Sequence, residues 1–141
     1  MGKNPDNLMI AQGKYLFTIG GCNDCHTEGF IQSDGKVPVS EWLKGSTFGW
    51  SGPRGTTYPR NLRLFVKDLT VDQWIQKAKT LKRRPPMPWF DLNAMKEDDL
   101  RAIYNFIKSL GTPGTQSPDF IPPGMDAPMP HATIPGPPQS H

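Results

Sequence analysis

Apolar residues recur at helical spacing in three segments of the chain, which polar and glycine-rich stretches separate. The segments cover residues 6–19, 70–81 and 96–110. Apolar positions three and four residues apart line one face of a helix. The pattern therefore predicts an all-α fold with about three main helices, joined by long irregular loops.

Signals at the helix ends support these assignments. The first segment ends at a glycine pair, and its apolar positions are Leu8, Ala11, Tyr15 and Ile19. In the second segment Thr70 and Gln73 have the spacing of a capping box. The third segment has only Lys96 at its N-cap position, which is a weak cap. Three acidic residues follow it, where the helix dipole favours negative charge.

The last 31 residues differ from the rest in composition. Residues 111–141 hold nine of the 16 prolines and no lysine or arginine. Proline lacks the backbone donor that a helix needs, so this segment is expected to be extended. The sequence predicts a helical domain over residues 1–110 and a proline-rich tail over 111–141. Phe120, Ile121 and Met125 are the side chains expected to anchor the first half of the tail.

Length and charge exclude several classes of protein. A chain of 141 residues with a net charge of +3 is one small domain, too weakly basic for a dedicated nucleic-acid binder. It has no apolar run of the ~18 residues that a transmembrane segment requires. The N-terminal residues also lack the apolar core of a secretory signal. A modest core in so small a domain indicates that a cofactor contributes to stability.

The segment Cys22-Asn23-Asp24-Cys25-His26 is the clearest chemical signal. Cys-x-x-Cys-His is the attachment motif of c-type haem. Two thiols three positions apart on a helical turn face the same way, so both reach the vinyl groups of one porphyrin. His26 then becomes the proximal iron ligand through Nε2, with its Nδ1–H donated to a backbone carbonyl. A redox dithiol requires a preceding strand, and a zinc site requires a second ligand pair; neither is present.

Met87 is the predicted sixth ligand of the iron. It lies between Pro86 and Pro88, whose fixed φ angles stiffen the loop that presents the thioether. Met95 precedes the third helix and is expected to pack in the core. If Met87 is absent from the iron or easily displaced, the alternative function is a haem-based sensor or gas-binding protein.

These segments together resemble class I cytochromes c, the small monohaem electron carriers. The resemblance rests on residues 13–17 and 22–27, on the Pro-Met-Pro-Trp of residues 86–89, and on the helix of residues 99–110. It implies electron transfer rather than enzyme catalysis, one covalent haem c, and axial ligation by His26 and Met87. It also implies that the first and last helices cross at Gly13, with Phe17 and Tyr104 beside the crossing.

The chain also resembles periplasmic cytochromes c that accompany bacterial dehydrogenases. That likeness implies export to the periplasm, with a signal peptide removed, and a redox protein as partner. One departure concerns the proline whose carbonyl accepts the proximal histidine proton in the family. Here the local sequence is Pro59-Arg60-Asn61-Leu62, which leaves Pro59 and Pro53 as candidates for that role.

Basic residues cluster before the methionine loop. Residues 54–84 carry a net charge of +7, and Lys82, Arg83 and Arg84 directly precede the prolines that flank Met87. Such a run is commonly a solvated helix face. Its position beside the exposed haem edge also suits the steering of an acidic partner surface, or the binding of the haem propionates.

Overall fold

The computed structural model describes residues 5–111 and 114–134, and most of its regular structure is helical. The helices are α1 (Pro5–Ile19), α2 (Cys22–His26), α3 (Leu62–Lys67), α4 (Val71–Thr80), α5 (Trp89–Ala94) and α6 (Glu97–Ser109), with a 3₁₀ turn at Val39–Glu41. The short strands are β1 (Gly49–Gly52), β2 (Gly55–Thr57) and β3 (His131–Thr133). Helices α1, α4 and α6 confirm the three predicted segments, whereas the small sheet was not predicted.

The ends of α4 and α6 follow the sequence signals. Thr70 Oγ1 accepts a hydrogen bond from the Gln73 amide at 3.1 Å, and Gln73 Oε1 accepts one from the Thr70 amide at 2.9 Å. This reciprocal pair is the predicted capping box. Helix α6 begins after Lys96, whose side chain makes no capping hydrogen bond. Its first turn instead relies on acidic residues that interact favourably with the helix dipole.

Helices α1 and α6 cross where α1 has a glycine. A Cβ atom at Gly13 would overlap the carbonyl oxygen of Ala102 and would lie 2.7 Å from Cβ of Phe106. The rings of Phe17 and Phe106 pack beside this point, with centroids 5.6 Å apart. The ring that packs against Phe17 is thus Phe106 and not the predicted Tyr104, whose hydroxyl donates to the Leu69 carbonyl at 2.7 Å.

The crossing also decides which face of α1 is buried. Phe17 is only 2% exposed, whereas Leu8, Tyr15 and Ile19 are 52%, 57% and 61% exposed. The predicted apolar stripe of Leu8, Tyr15 and Ile19 therefore faces outward. Only the side with Gly13 lets the two helix axes come this close, so the packing selects that side.

The hydrophobic core lies between α1, α3, α4 and α6. Its fully buried members include Leu43, Val66, Ala78, Leu100, Ile103 and Ile107. Trp42 and Trp74 are also buried in this cluster, and each indole N–H donates at 2.8 Å to a backbone carbonyl, of Val37 and Leu100 respectively. The two large rings thus enter the core with no unpaired donor.

Arg63 of α3 is buried among backbone carbonyl groups. Its exposure is 2%, and its guanidinium donates to the carbonyls of Trp42 at 2.8 Å, Ser40 at 2.9 Å and Leu110 at 2.9 Å. This one side chain joins the 3₁₀ turn and the following residues to the C-terminal end of α6, where a cation is favoured by the helix dipole. Arg63 is therefore not part of the basic surface that the sequence indicated.

The proline-rich tail is extended and joins the small sheet. The strand order is β2-β1-β3, with β1 antiparallel to β2 and parallel to β3. Ile121 pairs with Thr56, as predicted for an anchor, but Met125 is 63% exposed and anchors nothing. Residues 112–113 and 135–141 of the predicted tail lie outside the described residues. No helix in the described ranges is long and apolar enough to cross a membrane.

Replacement of Gly13 by alanine should destabilise the protein. Alanine favours a helix by about 1 kcal/mol over glycine, but the new methyl group must push α1 away from the Ala102 carbonyl. Overpacking of this kind typically costs about 1–3 kcal/mol, so we expect a net loss in the free energy of unfolding, measured by denaturant titration. Gln12→Ala, at an exposed position one residue away, is the control. A higher midpoint for Gly13→Ala than for wild type would contradict the close crossing.

Candidate cofactor site

Helix α2 presents the two thiols and the imidazole of the predicted attachment motif on little more than one turn. It starts after Gly21, which has a left-handed φ of 70° and lies in the turn that follows α1. Residues three positions apart on a helix are neighbours on its surface, so Cys22 and Cys25 lie on the same side. Both cysteines are free and half-buried.

Burial keeps the two thiols protonated. It raises the pKa of Cys22 to about 11, and it also raises the pKa of Cys25, with a smaller contribution from the negative charge of Asp24. Groups of three or more acidic, His or Cys side chains placed to hold one metal ion are absent from the described ranges.

The imidazole of His26 is held by a backbone carbonyl. Its Nδ1 lies 2.9 Å from the carbonyl oxygen of Arg60. A carbonyl only accepts hydrogen bonds, so Nδ1 carries the proton and Nε2 has its lone pair free. Burial lowers the pKa of His26, although the bond to Arg60 opposes this effect. The ring is therefore a neutral imidazole, the form that ligates a metal.

The carbonyl that holds His26 is neither of the two that the sequence indicated. Pro59 was one candidate, but its carbonyl accepts from the Ser117 hydroxyl at 2.6 Å and from the Ser46 amide at 3.3 Å. Pro53, the other candidate, lies at the exposed turn between β1 and β2. The inserted residue itself, Arg60, turns its carbonyl toward the imidazole.

A buried polar network supports α2 from its other side. Thr27 Oγ1 donates to Asn23 Oδ1 at 2.8 Å and accepts from the Leu43 amide at 2.9 Å. The Gly45 amide donates to the His26 carbonyl at 2.9 Å. Asn23, inside the motif, is 1% exposed, and its Nδ2 makes no hydrogen bond within the described structure. Sequence reasoning missed this network, because nothing in the residue types indicates that Asn23 and Thr27 are buried.

Met87 lies in a separate loop, between α4 and α5. Its amide donates to the Arg84 carbonyl at 3.2 Å, which closes a tight turn, and its own carbonyl accepts from the Trp89 amide at 2.9 Å. Met87 is half-buried and lies outside the hydrophobic core cluster, whereas Met95 packs against that cluster. The packing of Met95 is as predicted, and the role of Met87 as an iron ligand stays a prediction.

The three basic residues before this loop have different neighbours. The Lys82 ammonium lies 5.9 Å from the centroid of the Trp89 ring, and the Arg84 guanidinium lies 3.7 Å from that of Phe120. Burial and the positive charge of Arg60 both lower the pKa of Arg83. Arg60 and Arg83 are thus close, and neither has a carboxylate within ion-pairing distance among residues 5–111 and 114–134.

The donors on α2 fit haem c. Two neighbouring thiols match the two vinyl groups of a porphyrin, and the imidazole offers a free Nε2 to its iron. The second nitrogen of the ring is already fixed by a carbonyl, as is usual for histidines that ligate metals.

Replacement of Gly45 by alanine should disrupt the contact between α2 and the loop that holds His26. Gly45 has a φ of 81°, and a Cβ atom there would overlap the Ser117 hydroxyl and lie 2.9 Å from the carbonyl carbon of Arg60. We expect the substitution to cost at least about 2 kcal/mol in the free energy of unfolding, measured with denaturant. Gly29→Ala is the matched control, because its φ is 75° but a Cβ atom would meet nothing within 4 Å. Equal losses in the two variants would show that crowding at Gly45 is unimportant.

Comparison with models of protein families matches residues 10–111 to the family described as cytochrome c. Comparison with curated proteins and with solved structures gives no significant match. The matched segment includes α2, the methionine loop and α6, and it covers well over half of the chain. Proteins of this family carry haem c and transfer electrons through its iron. The chain is therefore a member of the cytochrome c family.

Proposed function

We propose that the protein is an electron carrier that shuttles single electrons between redox partners through one haem c. Cys22 and Cys25 would hold the porphyrin by thioether bonds, and His26 and Met87 would bind its iron. The observation that carries this proposal is the state of His26: a neutral imidazole, fixed through Nδ1 by the Arg60 carbonyl, beside two free thiols.

The haem, when bound, supplies an iron that alternates between the ferric and ferrous states. His26 keeps its ring orientation through the hydrogen bond to Arg60, which also makes Nε2 more basic. Met87 contributes a thioether, which favours the ferrous state and so raises the reduction potential. With His26 and Met87 both bound to the iron, oxygen would have no free site.

The proposal extends to location and domain organisation. Covalent haem attachment in bacteria takes place outside the cytoplasmic membrane, so the protein is expected in the periplasm after removal of a signal peptide. Residues 1–110 form the haem domain, and residues 111–141 are an added tail. A dehydrogenase, or a terminal reductase or oxidase, is the expected class of partner.

Arg83 and Lys82 form the proposed contact surface for an acidic partner. Arg83 adjoins another arginine and has no carboxylate to neutralise it within the described ranges, so its field extends into solvent. Lys82 is exposed next to the Trp89 ring, at the methionine loop. Charges in this position increase the rate of encounter with a partner of opposite charge.

Removal of both thiols should abolish covalent attachment. In Cys22→Ala/Cys25→Ala no thioether can form, so haem should pass into acidified organic solvent from denatured protein. In wild type the haem should stay with the polypeptide. The absorption bands of its pyridine haemochrome should lie where they do for a porphyrin whose two vinyl groups have been saturated. Extraction of the haem from denatured wild type would refute covalent attachment.

Replacement of Met87 by alanine should open the iron to added ligands. We expect a lower reduction potential and rapid binding of carbon monoxide, whereas wild type should not bind it. Met95→Ala is the matched control, and it should mainly cost about 2 kcal/mol of packing. The charge-transfer band of ferric iron bound to methionine shows which methionine is the sixth ligand. Its persistence in Met87→Ala would exclude Met87, and carbon monoxide binding by wild type would favour the sensor alternative.

Charge reversal at Lys82 and Arg83 should slow electron transfer at low salt only. Lys82→Glu/Arg83→Glu should leave the haem spectrum unchanged, because exposed charges contribute little to stability. The rate with the partner should approach that of wild type as salt screens charges over about 8 Å. Lys36→Glu/Lys67→Glu makes the same change in net charge at other exposed positions. Equal slowing by both pairs would point to net charge rather than to this surface.

A further inference from the structure

One segment of the tail contacts both loops that serve the proposed axial ligands. This segment, which we name the strap, comprises residues 114–121. It lies along residues 55–61, which include the carbonyl that holds His26, and it reaches Arg84 at the start of the methionine loop. Neither contact belongs to the hydrophobic core, whose buried cluster contains no strap residue.

On the histidine side, the strap holds both neighbours of Arg60. The Ser117 hydroxyl donates to the Pro59 carbonyl at 2.6 Å. Asn61 Nδ2 donates to the Thr115 carbonyl at 3.2 Å. The direction of a carbonyl depends on the peptide planes before and after it, so these two bonds restrict the Arg60 carbonyl. That carbonyl is the one that orients His26.

Close packing makes this restraint stiff. Gly45 lies between α2 and the strap, because its amide donates to the His26 carbonyl while its Cα faces the Ser117 hydroxyl and the Arg60 carbonyl carbon. A side chain at Gly45 would not fit between α2 and the strap. Because no free space separates these parts, a displacement of Ser117 also displaces the Arg60 peptide.

On the methionine side, the strap supplies an aromatic ring to Arg84. The guanidinium lies 3.7 Å from the centroid of Phe120, within the range of a cation–π interaction. The ring itself is fixed, because it packs on Gly55 and because Ile121 exchanges two backbone hydrogen bonds with Thr56 at 2.8 and 2.9 Å. The carbonyl of the same Arg84 closes the turn that presents Met87.

We infer that the strap positions both axial ligands, with Ser117 acting on His26 through Arg60 and Phe120 acting on Met87 through Arg84. The inference rests on the proposed function and assigns these two residues as positioning residues. It gives the tail a role in setting the properties of the iron, beyond the stability that any packed segment adds.

The two halves of the strap should give different signals. Without the Ser117 hydroxyl the Arg60 carbonyl loosens, its bond to His26 weakens, and the imidazole donates less electron density to iron. The reduction potential should then rise. Without the Phe120 ring the methionine loop opens more often, so an external ligand competes better for ferric iron. The expected gain in imidazole affinity is about three- to tenfold.

The experiment uses the full-length holoprotein with single substitutions. Ser117→Ala is compared with Thr115→Ala, which keeps the backbone carbonyl that Asn61 uses. Phe120→Leu keeps apolar volume without a π face, and Met125→Ala is its control at an exposed tail position. Reduction potential, imidazole affinity of the ferric form and the methionine–iron charge-transfer band are measured for each protein, together with thermal stability.

The inference is supported if Ser117→Ala raises the potential without changing imidazole affinity, while Phe120→Leu increases imidazole affinity and keeps the charge-transfer band. It is overturned if both variants match their controls. It is also overturned if the two variants change both readouts together in proportion to lost thermal stability, because that pattern indicates general loosening.

Failure of the proposed function gives a different result. If wild type itself lacks the charge-transfer band, Met87 is not the ligand, and the part of the inference that concerns Phe120 falls with it. The potential of Ser117→Ala then decides whether the strap positions His26. If wild type shows the methionine–iron charge-transfer band but both variants match their controls, the positioning role of the strap is refuted and the proposed function stands.

Discussion

The close approach of α1 and α6 is the constraint on which the rest of the structure depends. The backbone of α1 at Gly13 lies against the carbonyl of Ala102, so the two helices share a surface that side chains elsewhere would keep apart. Phe17 and Phe106 fill the space beside it, and Trp42 packs against Phe106. Because α2 follows directly from α1, this crossing also fixes the position of α2 and therefore of the two thiols and the imidazole that it carries.

From α2 the structure extends outward in layers that are held by backbone groups. Gly45 bonds to the His26 carbonyl, the Arg60 peptide lies on Gly45, and the tail lies on both. Most of these contacts are made by backbone groups rather than by large side chains. Such preorganisation suits an imidazole that binds a redox-active iron, because the length of the bond to iron should change little when the iron is reduced.

Sequence reasoning predicted α1, α4 and α6 because caps and apolar spacing are local properties. It selected the wrong face of α1, since a count of apolar residues gives weight to Leu8, Tyr15 and Ile19 and none to Gly13. The cysteine pair and His26 were singled out as candidates from spacing alone. The Arg60 carbonyl was not, because the direction of a backbone carbonyl depends on the surrounding loop rather than on residue type.

Helix α3 and the sheet were missed for two further reasons. Asn61 is a good N-cap, and its Oδ1 accepts from the Leu64 amide at 3.2 Å, but a helix of six residues has too few turns to show a period. Strand β3 pairs with β1 across most of the chain, and short strands carry no signal for so distant a partner.

The hydrogen bonds of Arg63 affect how the fold responds to a change in pH. Its partners are all backbone carbonyls, which do not titrate, and burial lowers its pKa from a value so high that the guanidinium stays charged under all conditions in which proteins fold. A histidine at this position would release its proton near neutrality, and a lysine lacks the planar fork that reaches several acceptors. The hydrogen bonds that join the 3₁₀ turn to the end of α6 therefore do not depend on pH, and the titratable neighbour, Glu41, acts on Arg63 only through its charge.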